Sequence, residues 1–292
     1  MFASAIEKVR QFTKPVIVSK RFFDGTVETG IGAFIVLNDA GWIVTAAHVV
    51  LAATEHAKHK PEIDAHKAKI AAIQANPGLS AKLKARQIAR LPVNPKWVTN
   101  TSYWWFADGR ELTDIKPVLA GIDVLIGRLT PFNPAECGAY PTIKNPVSMK
   151  PGTSLCRFGY PFHNVITTFD EATQRFVIPP EIFPICEFPN EGIFTRTLLG
   201  PVTLGTIQLK LIETSSPGLK GQSGGAIFDK CGNIWGIQSN TEFLSLGFPA
   251  SLSIGGKTVV EHQFLNVGRG VHCEILISLL KTHSIAHSQS AD

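Results

Sequence analysis

Short apolar runs with a period near two, separated by turns rich in glycine, asparagine and proline, recur along most of this 292-residue chain. Residues 14–18 read as a first strand, and residues 22–27 as a hairpin whose Asp24-Gly25 turn suits a positive φ. Residues 33–37 and 42–45 flank the turn-forming cluster Asn38-Asp39-Ala40-Gly41 and predict a second hairpin. Further strands are predicted after Asp123 and over 154–158, 195–199 and 206–212, and an alternating apolar run follows Gly225. Helical periodicity interrupts this pattern at the N-terminus, where Ile6, Val9 and Arg10 lie on one helical face within residues 3–12. It returns between 52 and 92: Ala, Lys, Glu and His dominate residues 52–74, Asn76-Pro77-Gly78 breaks the run, Ser80 is placed to cap a second run to Arg90, and Pro92 ends it. A helical hairpin is the predicted form. Pro131-Phe132-Asn133-Pro134 reads as a connection between two halves. Residues 170–192, with Pro179, Pro180, Pro184 and Pro189 and little periodicity, read as a long surface loop.

Composition changes this picture in three ways. Hydrophobic residues make up 44% and charged residues 17%, a globular balance, and no apolar run approaches the roughly 18 residues that span a bilayer, so no membrane span is expected. Glu7, Lys8 and Arg10 stand where a secretory leader would need its apolar stretch. The five cysteines (Cys137, Cys156, Cys186, Cys231 and Cys273) are odd in number and contain no C-x-x-C, which predicts free thiols rather than a disulfide framework or a zinc site. Together these point to a cytoplasmic setting. The net charge of +5 is local: residues 54–90 carry eight Lys or Arg against three acids, with twenty of each elsewhere. The apolar positions of that segment (Ile63, Ile70, Ile73, Leu79, Leu83, Ile88 and Leu91) are sparse. One face can dock on the body while Lys67, Lys69, Lys82, Lys84, Arg86 and Arg90 either meet solvent alone or form a docking surface for a partner; nucleic acid is not the expected one. His56, His59 and His66 are not expected to hold a metal.

Candidate chemistry comes from three segments in order. Gly221-Gln222-Ser223-Gly224-Gly225 places a serine among glycines, and Thr45-Ala46-Ala47-His48 places a histidine 175 residues before it. A serine hydroxyl is a poor nucleophile at neutral pH; it needs an imidazole to take its proton and tight turns that aim backbone N–H groups at a developing oxyanion. Between the two, Asp123 opens the apolar run Val124-Leu125-Ile126 and is the preferred carboxylate to orient the imidazole. Asp114 and Asp108 compete for that role, but neither begins an apolar strand, and Asp114 sits among polar residues in a predicted turn.

These segments resemble the trypsin-like (chymotrypsin-fold) serine peptidases in their compact bacterial form. The likeness extends to Thr29-Gly30-Ile31-Gly32-Ala33-Phe34-Ile35-Val36 before the histidine, Gly159-Tyr160-Pro161-Phe162, Gly236 to Thr241 after the serine, and Gly270-Val271-His272 before a C-terminal helix. The resemblance implies an all-β fold of two six-stranded antiparallel β-barrels in one peptidase unit, residues 14–130 and 138–281. The helical hairpin at 52–92 is inserted in the first barrel, and a C-terminal helix follows the second. It implies a serine endopeptidase acting on a protein or peptide substrate, without cofactor or metal, in which His48, Asp123 and Ser223 are catalytic. The N–H groups of Gly221 and Ser223 would form the oxyanion hole, Ser239 would bond the triad aspartate, and Ser239, Asn240 and Thr241 would pair with substrate backbone. Two departures matter. Gln222 replaces the aspartate that binds a freshly cut N-terminus, so activation by N-terminal cleavage is not expected. Pro217, six before the serine, replaces the acid that selects Lys or Arg; Lys220, Arg269 and His272 nearby either favour an acidic or amide-bearing residue before the scissile bond or point to solvent or core. The likeness also allows a peptidase-like binding or scaffold module docking through its basic insert.

Overall fold

The structure is a computed structural model describing residues 1–117, 121–204, 207–248, 250–255, 257–261 and 263–291. After helix α1 (Ala3–Val9), strands β1 (Thr13–Phe22), β2 (Val27–Val36), β3 (Trp42–Thr45), β4 (Val98–Trp105), β5 (Glu111–Thr113) and β6 (Leu125–Thr130) form a six-stranded antiparallel sheet in the order β4-β1-β2-β3-β6-β5. Its interior is Val16, Phe34, Val36, Ile43, Ala46, Val49, Trp105 and Leu129. The stretch from Ala33 to Leu37 is buried at every position. A strand covered on both faces reads as a continuous apolar run rather than an alternating one, which is what this segment shows.

The second half holds β7 (Thr142–Ile143), β8 (Ser154–Arg157), β9 (Thr168–Asp170), β10 (Arg175–Val177), β11 (Asn190–Leu204), β12 (Ile207–Thr214), β13 (Ala226–Phe228), β14 (Asn233–Ser245), β15 (Ala250–Ile254), β16 (Lys257–Glu261), β17 (Phe264–His272) and β18 (Ser288–Gln289). Eight of these make one sheet, β13-β8-β11-β12-β17-β14-β7-β18, and β13 also pairs with β14, so the first six strands return on themselves. The second sheet is therefore larger than the six strands expected. The additions are β7 and β18, which join by short parallel pairings in an otherwise antiparallel sheet. The segment 170–192 is not a plain loop, because β9 and β10 pair across Asp170–Arg175 and Phe169 packs edge-on against Phe176. The predicted start of β12 at Thr206 lies outside the described residues.

A second apolar cluster joins the halves. Ala33, Ile35, Val44, Val124 and Ile126 from the first sheet meet Phe158, Ala226, Ile237 and Val271 from the second, with α1 adding Phe2, Ala5 and Val9. Helix α4 (Cys273–Thr282) lays Ile275, Leu276, Leu279 and Leu280 onto the same cluster, each worth about 1.5–3 kcal/mol relative to exposure. The site described below lies where these two sheets meet.

The insertion is a helical hairpin, α2 (Leu51–Ala75) and α3 (Ala81–Ile88), with Ser80 Oγ accepting from the N–H of Leu83. Helix α2 passes through Pro61, which removes a helical hydrogen bond at a cost of about 3 kcal/mol. Tertiary ties bracket it: His59 Nδ1 accepts from the Val98 N–H at 3.0 Å, and Glu62 Oε2 accepts from Trp97 Nε1 at 2.6 Å. His66 is buried edge-on to Phe23 and Trp97. The insert therefore docks through Ala52, Ile63 and His66, the residues of α2 that are fully covered, while α3 buries none.

Candidate active site

Strand β3 ends at Thr45, whose hydroxyl donates to the Ala33 carbonyl on β2 at 2.7 Å. The chain then turns through a short 3₁₀ segment, Ala47–Val50, that carries His48 and runs directly into α2. Asp123 lies between Ile122 and Val124, both 3% exposed. In an extended chain, neighbours point to opposite faces, so the two apolar side chains that anchor the segment in the core turn the carboxylate outward. It meets His48 twice, accepting from Nδ1 at 2.7 Å and from the backbone N–H at 2.9 Å. Ser239 donates to the same carboxylate from β14 at 2.6 Å. Burial raises the Asp123 pKa, but the His48 and Ser239 hydrogen bonds and the nearby imidazole outweigh it, and the group sits below its ordinary value. Because a carboxylate only accepts, Nδ1 carries a hydrogen and Nε2 is left as the basic nitrogen. Asp114, by contrast, faces Arg128 at 3.9 Å.

Ser223 is held by its backbone. Its carbonyl accepts from the Ala33 N–H at 2.8 Å, tying the loop to the first sheet, and the Gly224 N–H donates at 2.8 Å to Gln238, the residue before Ser239. Gly221 and Gly224 have φ of +103° and +82°. A side chain at 221 would strike the Tyr160 carbonyl, and one at 224 would strike the Ala33 carbonyl and the Thr45 hydroxyl, so only glycine fits. The N–H groups of Gln222, Gly224 and Gly225 are taken by Leu219, Gln238 and Gln222 carbonyls. Among the described residues, the N–H groups of Gly221 and Ser223 have no partner. Gln222 is fully buried; its amide donates to the Phe188 carbonyl and Asn190 Oδ1 and accepts from the Leu219 N–H.

The other predicted residues separate. The Thr241 hydroxyl donates to the Gly218 carbonyl at 2.6 Å, Pro217 accepts from Asn190, and Lys220 and Asn240 are exposed. Arg269 is not a free cation, because it is bound to Glu242 at 2.9 Å and to the buried Glu213 at 3.3 Å, which Arg196 also pairs. His272 is 4% exposed and caps α4, its Nδ1 accepting from the Glu274 N–H at 3.1 Å. Its suggested place near a substrate pocket is thus taken by a structural bond. Burial, opposed by Glu274, pulls its pKa down to about 4. A histidine held neutral stabilises fully above its unfolded value, and that contribution is lost as pH falls from about 6.5 to about 4. We expect His272→Asn, which can keep the cap, to remove on the order of 3 kcal/mol of pH dependence in that window, read by urea unfolding at each pH. An unchanged pH profile would contradict it. Two residues that sequence reasoning missed, Arg157 and Gln238, are buried behind the Ser223 loop and bonded to each other at 2.6 Å. An arginine inside the apolar run Leu155 to Phe158 was the available signal.

The family model described as the trypsin-like peptidase domain matches residues 30–237, which include His48, Asp123 and Ser223. The chain belongs to the trypsin-like peptidases. No curated protein sequence matches it. Among solved structures, this trypsin-like peptidase is similar to the HtrA-type protease AlgW with decapeptide at 14% identity and TM-score 0.51, over 99% of this chain and 69% of that one. It also resembles AlgW with tripeptide at 14% identity and TM-score 0.49, over 97% of this chain but only 63% of that one. At such identity the likeness concerns the fold. No helix among the described residues of the peptidase is long and apolar enough to cross a membrane.

Proposed function

We propose that this trypsin-like peptidase is a serine endopeptidase that cuts a protein or peptide substrate through Ser223, His48 and Asp123. The observation that carries this reading is the doubly held His48, which leaves Nε2 as the base while Nδ1 stays on the carboxylate. In this mechanism Ser223 Oγ attacks the scissile carbonyl as its proton passes to His48 Nε2. The resulting imidazolium is stabilised by Asp123 and then protonates the leaving amine. Water repeats the sequence on the acyl-enzyme and releases the acid. The N–H groups of Gly221 and Ser223, without partners among the described residues, would take the oxyanion in both steps. The edge at Ser239, Asn240 and Thr241 would receive the substrate backbone as an added strand. All five cysteines are free thiols, which supports a reducing, cytoplasmic setting; the dedicated protein partner rests on the family resemblance. Labelling with a fluorophosphonate and mapping the adduct tests the assignment; we expect it on Ser223, and an adduct elsewhere, or none, refutes it.

A second reading, docking of a partner through the insert, is favoured by α3, which buries no side chain and exposes Lys82 and Arg86. Reversing both to Glu should weaken partner association in a salt-dependent way and leave small-ester turnover unchanged, since exposed charges beyond about 8 Å are screened at physiological ionic strength. Association that ignores the reversal at low salt would remove the docking role.

A further inference from the structure

We propose that Arg157 forms the floor of the pocket that receives the side chain before the scissile bond, and that this pocket takes an acidic residue, aspartate or glutamate. The inference rests on the catalytic reading above and assigns its substrate class.

Three pieces of chain beside the nucleophile converge on this arginine. The approach to Ser223 contributes Ser216, whose hydroxyl accepts from Arg157 Nη1 at 2.7 Å. Strand β14 contributes Gln238, which accepts from Arg157 Nε at 2.6 Å and immediately precedes the Ser239 that bonds Asp123. Strand β17 contributes Gly268, whose N–H donates to the Ser216 carbonyl at 2.9 Å and whose missing side chain leaves the room that the guanidinium fills. The Thr241 hydroxyl donates to the Gly218 carbonyl at 2.6 Å and ties β14 to the same approach segment. Arg157 therefore sits behind the loop that carries the nucleophile, between that loop and the strand expected to bind substrate backbone.

The group is unfinished. Arg157 is 1% exposed, yet among the described residues its Nη2 has no hydrogen-bond partner and no carboxylate pairs with it. A buried charge normally carries a counter-ion, and an orphaned buried donor needs a reason. Burial lowers the guanidinium to about 10, which leaves it charged at neutral pH. The other cation suggested for this region, Arg269, is already neutralised by Glu213 and Glu242. A substrate carboxylate supplies both missing elements at once, an acceptor for Nη2 and the opposite charge. An amide side chain supplies only the acceptor.

The test uses peptidyl diphenyl phosphonates identical except for Asp, Asn, Ala or Lys at the position before the phosphorus, with the rate of Ser223 adduct formation as readout. In the wild-type chain the Asp probe should react about 10- to 100-fold faster than its Asn isostere. Arg157→Met should erase that ratio, read as Asp against Asn within the variant so that any general change in Ser223 reactivity cancels. If the variant does not fold, the wild-type Asp-to-Asn ratio decides alone. Equal wild-type rates for Asp and Asn, a faster Ala or Lys probe, or an acid preference that persists in Arg157→Met overturns the proposal while plain fluorophosphonate labelling keeps the catalytic reading. Failure of the plain fluorophosphonate to label Ser223 overturns both.

Discussion

Ser223→Ala is expected to lower peptide turnover by roughly 10⁶-fold, to the residual rate that the oxyanion donors and substrate binding alone supply. On the proposed mechanism, removing the hydroxyl deletes the atom that forms the acyl bond. The backbone contacts that seat the loop, Ser223 carbonyl to Ala33 and Gly224 N–H to Gln238, do not involve the side chain. The variant should therefore melt close to the parent, which separates loss of chemistry from loss of fold. Single-turnover cleavage of a fluorogenic peptide alongside a thermal melt provides the measurement. A variant within about 10-fold of the parent would move the nucleophile elsewhere.

Asp123→Asn should cost about 10⁴-fold in kcat at neutral pH, and the hydrogen bonds explain why an isosteric change is so large. The carboxylate accepts at both oxygens, from the His48 backbone N–H on Oδ1, and from His48 Nδ1 and Ser239 on Oδ2. An asparagine has one accepting edge and one donating edge. If its oxygen faces Nδ1 and Ser239, its NH₂ confronts the backbone N–H. If it is turned round, the NH₂ confronts Nδ1 and selects the tautomer whose proton is on Nε2, where no base remains. The kcat-versus-pH profile of the variant should recover at alkaline pH as hydroxide assists attack, and a profile parallel to the parent's would show that Asp123 does not orient the imidazole.

Much of the fold was legible because its signals are local. The Asp24-Gly25 turn, the Asn38–Gly41 turn between buried strands and the Ser80 cap each fix a backbone conformation through residues within a few positions. His48 and Asp123 were legible as residue types in order and Ser239 through the family resemblance, and the structure brings them into one hydrogen-bonded group. What was not legible depends on partners far apart in the chain. Strand β4, Val98–Trp105, pairs with β1 some eighty residues earlier, and its own sequence reads as polar and aromatic without a clean alternation. Nor does the sequence around His272 say that its ring caps a helix, or that around Arg269 that two carboxylates from other strands neutralise it. A cation near a pocket in sequence can be spent on structure, whereas one hidden in an apolar strand, such as Arg157, can be the one left over.

Gln222 carries a consequence of another kind. A carboxylate beside the nucleophile would tie the shape of the loop to whichever cation meets it, and so to acidity and salt. The amide instead closes its three bonds on neutral groups, the Phe188 carbonyl, Asn190 and the Leu219 N–H. It neither titrates nor exchanges counter-ions. The tie that Gln222 gives the loop presenting Ser223 is thus one that neither acidity nor salt loosens.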